Sequence, residues 1–156
     1  MRSKYDYYPT PAWCYEQLPI DWSLFKTALE PASGDHRIVY FLESKGMKVD
    51  WCEIQEGKDF YEHEGEYDLV FTNPPFSDSI PFIEHALSMS TTVIMLQRLN
   101  FLATQSRYKF WQQFPPDGIF VLSRRPVFVG TKSDSQEYCW FVWSDIKELQ
   151  GFHWIK

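Results

Sequence analysis

Apolar and polar positions along this 156-residue chain alternate between a period near two and a period near 3.6. Residues 1–23 fit neither period. They are rich in aromatics, punctuated by Pro9, Pro11 and Pro19, and read as an arm with a short helix around residues 13–17. Residues 25–30 predict a short strand ending at Pro31. Residues 35–45 predict a helix, because Ile38, Phe41 and Leu42 share one face and Gly46 offers a stop. Residues 48–54 alternate Val49, Trp51 and Glu53 against Asp50 and Cys52, the pattern of a strand. Residues 67–72 predict a buried strand halted by Pro74 and Pro75. A helix over 79–88 follows, with Asp78 or Ser79 as cap and Ile80, Ile83 and Leu87 inward. The near-continuous apolar run 92–96 is typical of a central parallel strand. Residues 101–114 predict a helix with Phe101, Tyr108 and Trp111 on one side. Segments 118–129 and 137–143 then form two antiparallel closing strands around a turn at 130–135, and 152–155 is a last strand covering an edge.

This order is β-α-β-β-α-β-α-β-β. It implies an α/β three-layer sandwich with a mostly parallel, twisted sheet and an antiparallel closing hairpin. Ligands of such sheets bind outside the carboxyl ends of the strands, where strand order reverses. The chain has no linker, repeat or low-complexity segment. Residues 1–156 therefore read as one domain, with 1–23 as its N-terminal arm.

Composition narrows the class. Hydrophobic residues make up 44%, aromatics 19% and charged residues 23%, which excludes a disordered or collagen-like chain. Cys14, Cys52 and Cys139 are widely spaced and form no CxxC or Cys/His cluster, so neither a disulfide scaffold nor a structural metal site is expected. No signal peptide is visible, and no apolar run reaches the ~18 residues of a membrane span. A cytoplasmic, soluble protein is the expectation. The net charge of −6 argues against gripping nucleic acid by bulk charge, but it is unevenly spread. Residues 1–78 carry 7 Lys and Arg against 15 Asp and Glu, net −8, while residues 79–156 carry 8 against 6, net +2. Arg98, Arg107, Lys109, Arg124, Arg125 and Lys132 lie in the second half. Such a split suits a cationic small molecule on one side and a polyanion on the other, although two ordinary solvated faces also account for it.

The strongest local signal is Asn73-Pro74-Pro75-Phe76, directly after a predicted strand. Two prolines stiffen the loop, so the Asn73 amide stands at a fixed place. Its oxygen and the Pro74 carbonyl can accept hydrogen bonds from an exocyclic amino group. Those bonds localise the nitrogen lone pair and stabilise the positive charge that develops as the nitrogen attacks an electrophile. Phe76 offers a flat face on which a planar ring can stack.

In these four residues and in several further segments, which together span most of its length, the chain resembles the class I S-adenosylmethionine-dependent amino-methyltransferases. Within them it is most similar to the DNA N6-adenine methyltransferases of small phage and prophage type. The resemblance implies a reduced Rossmann-like fold, S-adenosylmethionine as cofactor, and transfer of its methyl group to adenine N6 in DNA, in a bacterial or phage-infected cell. Glu30-Pro31-Ala32-Ser33-Gly34 resembles the cofactor loop, with Glu30 meeting the cationic amino-acid end. The second glycine of that loop is replaced, the run continuing Asp35-His36, and Asp35 is a candidate cap for the next helix. Glu53 corresponds to the acid that accepts from the ribose hydroxyls. Asp59-Phe60 resembles the pair at the cofactor's adenine, but only five residues separate Glu53 from Asp59, so the helix and strand usual there are missing or vestigial. Tyr8-Pro9-Thr10-Pro11 resembles the N-terminal motif over the methionine end, with Thr10 as the polar contact. Arg124, Arg125 and Phe128 fall in a segment similar to the closing hairpin of the phage enzymes. With Arg98, Asn100 and Arg107 they are the candidate substrate contacts.

The chain has no segment long enough for a separate target-recognition region. Recognition is then short, relaxed or shared with a second copy of the chain, or the target is already unpaired. Two rivals stay open. One is the same chemistry on RNA adenine or a protein glutamine. The other is a non-catalytic methyltransferase-fold binding or structural subunit.

Overall fold

The computed structural model describes residues 9–128, 130 and 135–156. Tyr8, Val129, Lys132 and most of the expected turn at 130–135 lie outside these. Seven strands form one sheet: β1 (Thr27–Glu30), β2 (Lys48–Trp51), β3 (Leu69–Thr72), β4 (Thr92–Arg98), β5 (Gly118–Leu122), β6 (Tyr138–Ser144) and β7 (Gly151–Ile155). Their spatial order is β2-β1-β3-β4-β6-β5-β7. The pairs β2-β1, β1-β3 and β3-β4 are parallel, and β6 runs antiparallel between β4 and β5. The expected sandwich and closing hairpin are both present. β7 covers an edge, parallel to β5.

Strand alternation divides the core between the two faces of the sheet. Ala28, Phe71, Ile94, Leu96, Trp140 and Val142 face α1 (Trp13–Glu16) and α2 (Arg37–Ser44). Leu29, Val70, Val93, Met95, Phe141 and Trp143 face α3 (Ser79–Leu87) and α4 (Tyr108–Gln113). The arm is tied to the sheet by Trp140, whose indole N–H donates to the Cys14 carbonyl at 2.8 Å. Cys14, Cys52 and Cys139 are buried, and burial pushes their thiols up to about 12, 11 and 12. Among the described residues no helix is long and apolar enough to cross a membrane.

Several local expectations are corrected. The helix expected over 101–114 is broken into 3-10 turns at Leu99–Leu102 and Gln105–Arg107 followed by the short α4. Tyr108 points to solvent, and Phe110 joins Phe101 and Trp111 instead. Phe101, Tyr108 and Trp111 share a helical face by spacing, but residues 102–107 between them carry only Leu102 and Ala103 as apolar positions and do not sustain that face. α3 buries Phe82, Ile83 and Ala86, while Ile80 and Leu87 lie at the margin. Asp78 makes no side-chain cap to α3; the Ser79 hydroxyl donates instead to the Phe76 carbonyl at 3.2 Å. β5 ends at Leu122, so Arg124, Arg125 and Phe128 follow the strand rather than extend it. β2 ends at Trp51, before Glu53.

Candidate active site

Strand order reverses at β1: its chain continues outward to β2, then crosses back to β3 on the other side. The crevice at the carboxyl ends of β1, β2 and β3 is a cleft of about 490 Å³, within the range of small-molecule sites. The end of β1 supplies Glu30 to its wall, and the loop after it Pro31 and Ser33. The segment after β2 supplies Glu53, the next turn Asp59 and Phe60, the loop after β3 Asn73 and Pro75, and the arm Thr10. Residues up to 65 apart in sequence, named above on separate grounds, thus meet around one cavity.

Each is held by local bonding. Glu30 is only 1% exposed and accepts from the Ala32 amide at 2.9 Å. Burial raises its carboxyl to about 8, opposed by the neighbouring Thr72 hydroxyl and the Ala32 amide and helped by Glu53. Glu53 braces the wall, accepting from Gly34 N–H at 2.8 Å and Gln55 N–H at 2.9 Å. Gly34 (φ +58°) takes the left-handed turn that presents this N–H and, contrary to expectation, does not itself line the cleft. Asp59 accepts from Tyr61 N–H at 3.0 Å, and Phe60 packs on Phe82 and His85 with centroids at 4.6 and 4.5 Å. Between Glu53 and Asp59 stands only the 3-10 turn Ile54–Glu56, so the helix and strand usual there are indeed absent from this segment and β2 forms the sheet edge. Asn73 Nδ2 donates to Thr10 Oγ1 at 3.1 Å.

Phe76 lies beyond the cleft. The Arg98 guanidinium sits over its ring at 5.3 Å, and Tyr138 lies 6.0 Å away. Phe128 also meets Tyr138, edge-on at 5.0 Å, and Arg124 stacks on Trp13 at 4.1 Å. A cation-aromatic surface therefore continues from Asn73 along the carboxyl ends of β4 and β5. Arg125 is engaged by Glu137 at 2.9 Å, and Asn100 donates to Gln136 at 3.5 Å. Arg107 stacks on Phe101 at 4.4 Å, in the 3-10 turn before α4.

Sequence patterning missed Tyr61, Asp78 and Arg37. The Tyr61 hydroxyl donates to the Asp78 carboxylate, joining two cleft-lining residues, and burial with that bond pushes the phenol up. Arg37 Nη1 donates to the Thr10 carbonyl at 3.2 Å, pinning the arm over α2. The only signal for Tyr61 was its place next to Asp59-Phe60; Arg37 gave none.

No protein-family model and no curated protein matches the chain. Among solved structures it is similar to a putative RNA methyltransferase from Pyrococcus horikoshii, with 20% identity and a TM-score of 0.65, covering 90% of this chain and 88% of that one. It is also similar to a putative class I S-adenosylmethionine-dependent methyltransferase from Listeria monocytogenes, with 12% identity and a TM-score of 0.57, covering 83% of this chain and 58% of that one. The likeness is one of fold: this chain has the Rossmann-like sheet and helix arrangement of those methyltransferases.

Proposed function

We propose that the chain is an S-adenosylmethionine-dependent methyltransferase acting on the N6 amino group of adenine in DNA. The observation that carries this reading is the meeting of Glu30, Ser33, Glu53, Asp59 and Asn73 around one cleft at the switch point of the sheet. The cofactor suits these residues: Glu30 and Ser33 for its amino-acid end, Glu53 for ribose hydroxyls, and Asp59 with Phe60 for adenine. When bound, it supplies an electrophilic methyl group on a sulfonium. Asn73 Oδ1 and the Pro74 carbonyl accept from the acceptor amine and hold its lone pair toward that methyl. The nitrogen lone pair gains a bond to the methyl carbon as the carbon–sulfur bond breaks, its electron pair leaving on a neutral thioether; the nitrogen afterwards sheds one proton to solvent, so no side-chain base is required at the attack. Pro75 stiffens the loop, and Phe76 stacks on the acceptor base, which leaves the duplex to reach it. Arg98, Arg124 and Phe128 supply cation and ring faces for the flanking strand, with Asn100 and Arg125 beside them.

RNA adenine is the second reading, favoured by the name given to the Pyrococcus protein. Incubation with tritiated donor and unmethylated DNA, RNA or protein separates these acceptors. Labelled N6-methyladenine in DNA is the expected product. Label in RNA alone moves the acceptor, and donor binding without transfer to any acceptor points to a binding subunit.

A further inference from the structure

His36 is, among the described residues, the non-glycine residue at positive φ, +67°. It stands where the cofactor-loop resemblance expects a second glycine. A side chain in the left-handed region is disfavoured, so its presence there calls for a compensating role. Its ring is tightly fixed. Nε2 lies 2.8 Å from Glu56 Oε2, and Nδ1 is hydrogen-bonded to Ser33 Oγ. The ring tilts against Trp51 at 4.4 Å, with Tyr40 edge-on at 6.4 Å.

With Glu56 ionised and the ring neutral, these contacts fix the direction of each hydrogen bond. An ionised carboxylate only accepts, so Glu56 selects the tautomer with its proton on Nε2. Nδ1 of the neutral ring is then an acceptor, and the Ser33 hydroxyl must donate to it. The rest of Ser33 is pinned: its N–H donates to the Cys52 carbonyl and its carbonyl accepts from His36 N–H, both at 2.9 Å. Ser33 is 5% exposed and lines the cleft beside Glu30. With its one proton committed to His36, its oxygen offers only lone pairs to the cleft. That matches a cationic N–H donor and mismatches a carboxylate.

We infer that His36, held by Glu56, is a positioning residue that fixes the Ser33 hydroxyl as an acceptor for the ammonium group of the bound methyl donor. This rests on the proposed cofactor site. The test is calorimetric titration of the full chain with S-adenosylhomocysteine and with its deaminated analogue. His36→Gly relieves the backbone but deletes the ring's contacts, so a purely structural role predicts a change in thermal stability with unchanged binding. The expected result is a five- to thirtyfold loss of affinity for S-adenosylhomocysteine with little change for the deaminated analogue. Ser33→Ala should behave likewise, and the double variant should lose no more than either single one. If His36→Gly fails to fold, Ser33→Ala with the two probes carries the test. Equal losses for both probes, or none, overturn the inference while leaving the cofactor site standing. A wild-type chain that binds neither probe overturns both.

Discussion

Asn73 Nδ2 donates to Thr10 Oγ1 at 3.1 Å, joining the loop after β3 to the N-terminal arm. The bond holds the Asn73 amide against the arm with its nitrogen toward Thr10. Thr10, expected at the cofactor, lines the cleft and also anchors the amide proposed to hold the acceptor amine.

Thr10→Val keeps the shape and removes the acceptor. The amide then loses its anchor, and misplacement of a reacting group costs up to roughly a hundredfold in rate. The expected outcome is a ten- to hundredfold fall in kcat with donor affinity changed less. Asn73→Ala should abolish transfer and leave donor binding nearly intact by calorimetry. Full activity in Asn73→Ala would show the assigned chemistry to be wrong.

Phe76 is half-buried, with Arg98 over its ring. Phe76→Ala removes the face on which the acceptor base is proposed to stack, a loss of about 1–3 kcal/mol. KM for an oligonucleotide acceptor should rise about five- to a hundredfold, with donor affinity unchanged. An unaltered dependence on acceptor concentration would refute the stacking role.

Gly118 opens β5 where the chain passes the turn before β7. A Cβ there would stand 2.0 Å from the Leu149 carbonyl oxygen, a backbone atom that no rotamer change can clear. Gly118→Ala should destabilise by about 1–3 kcal/mol or more, seen as a lower urea midpoint at unchanged slope. An unshifted midpoint would mean that the β5-β7 edge yields easily.

The parts of the molecule legible from sequence are those where one short segment carries its own constraint. The apolar runs at 67–72 and 92–96 announced a buried strand and a central parallel strand because both faces are covered, and Pro74-Pro75 marked where the first one stops. The vestigial segment between Glu53 and Asp59 was readable as simple spacing. What escaped was relational. Nothing local says that Thr10 reaches Asn73, that Arg37 holds the arm, or that Tyr61 meets Asp78, since each needs two distant segments brought together by the sheet. The break within 99–113 escaped because Phe101, Tyr108 and Trp111 share a helical spacing although the stretch 102–107 between them does not continue it. The substitution at His36 was visible as a departure, but its bonding to Ser33 and Glu56 was not.

Glu30 yields the pH prediction. Its carboxyl is raised from 4.5 to about 8 in the folded chain, chiefly by burial. An unfolded chain sheds that proton near 4.5, so between these values the unfolded state binds fewer protons and stability falls as pH rises. The loss is absent below about 4.5 and complete above about 8. Glu30→Gln cannot ionise. Its stability advantage over wild type should therefore grow through this window and then level off, as followed by urea melts at several pH values. A cation entering the cleft favours the ionised carboxylate, so donor binding near pH 7 should release a proton. Titrations in buffers of different ionisation enthalpy should report that release in wild type and its loss in Glu30→Gln. Equal buffer dependence in the two proteins would place the cationic end of the ligand away from Glu30.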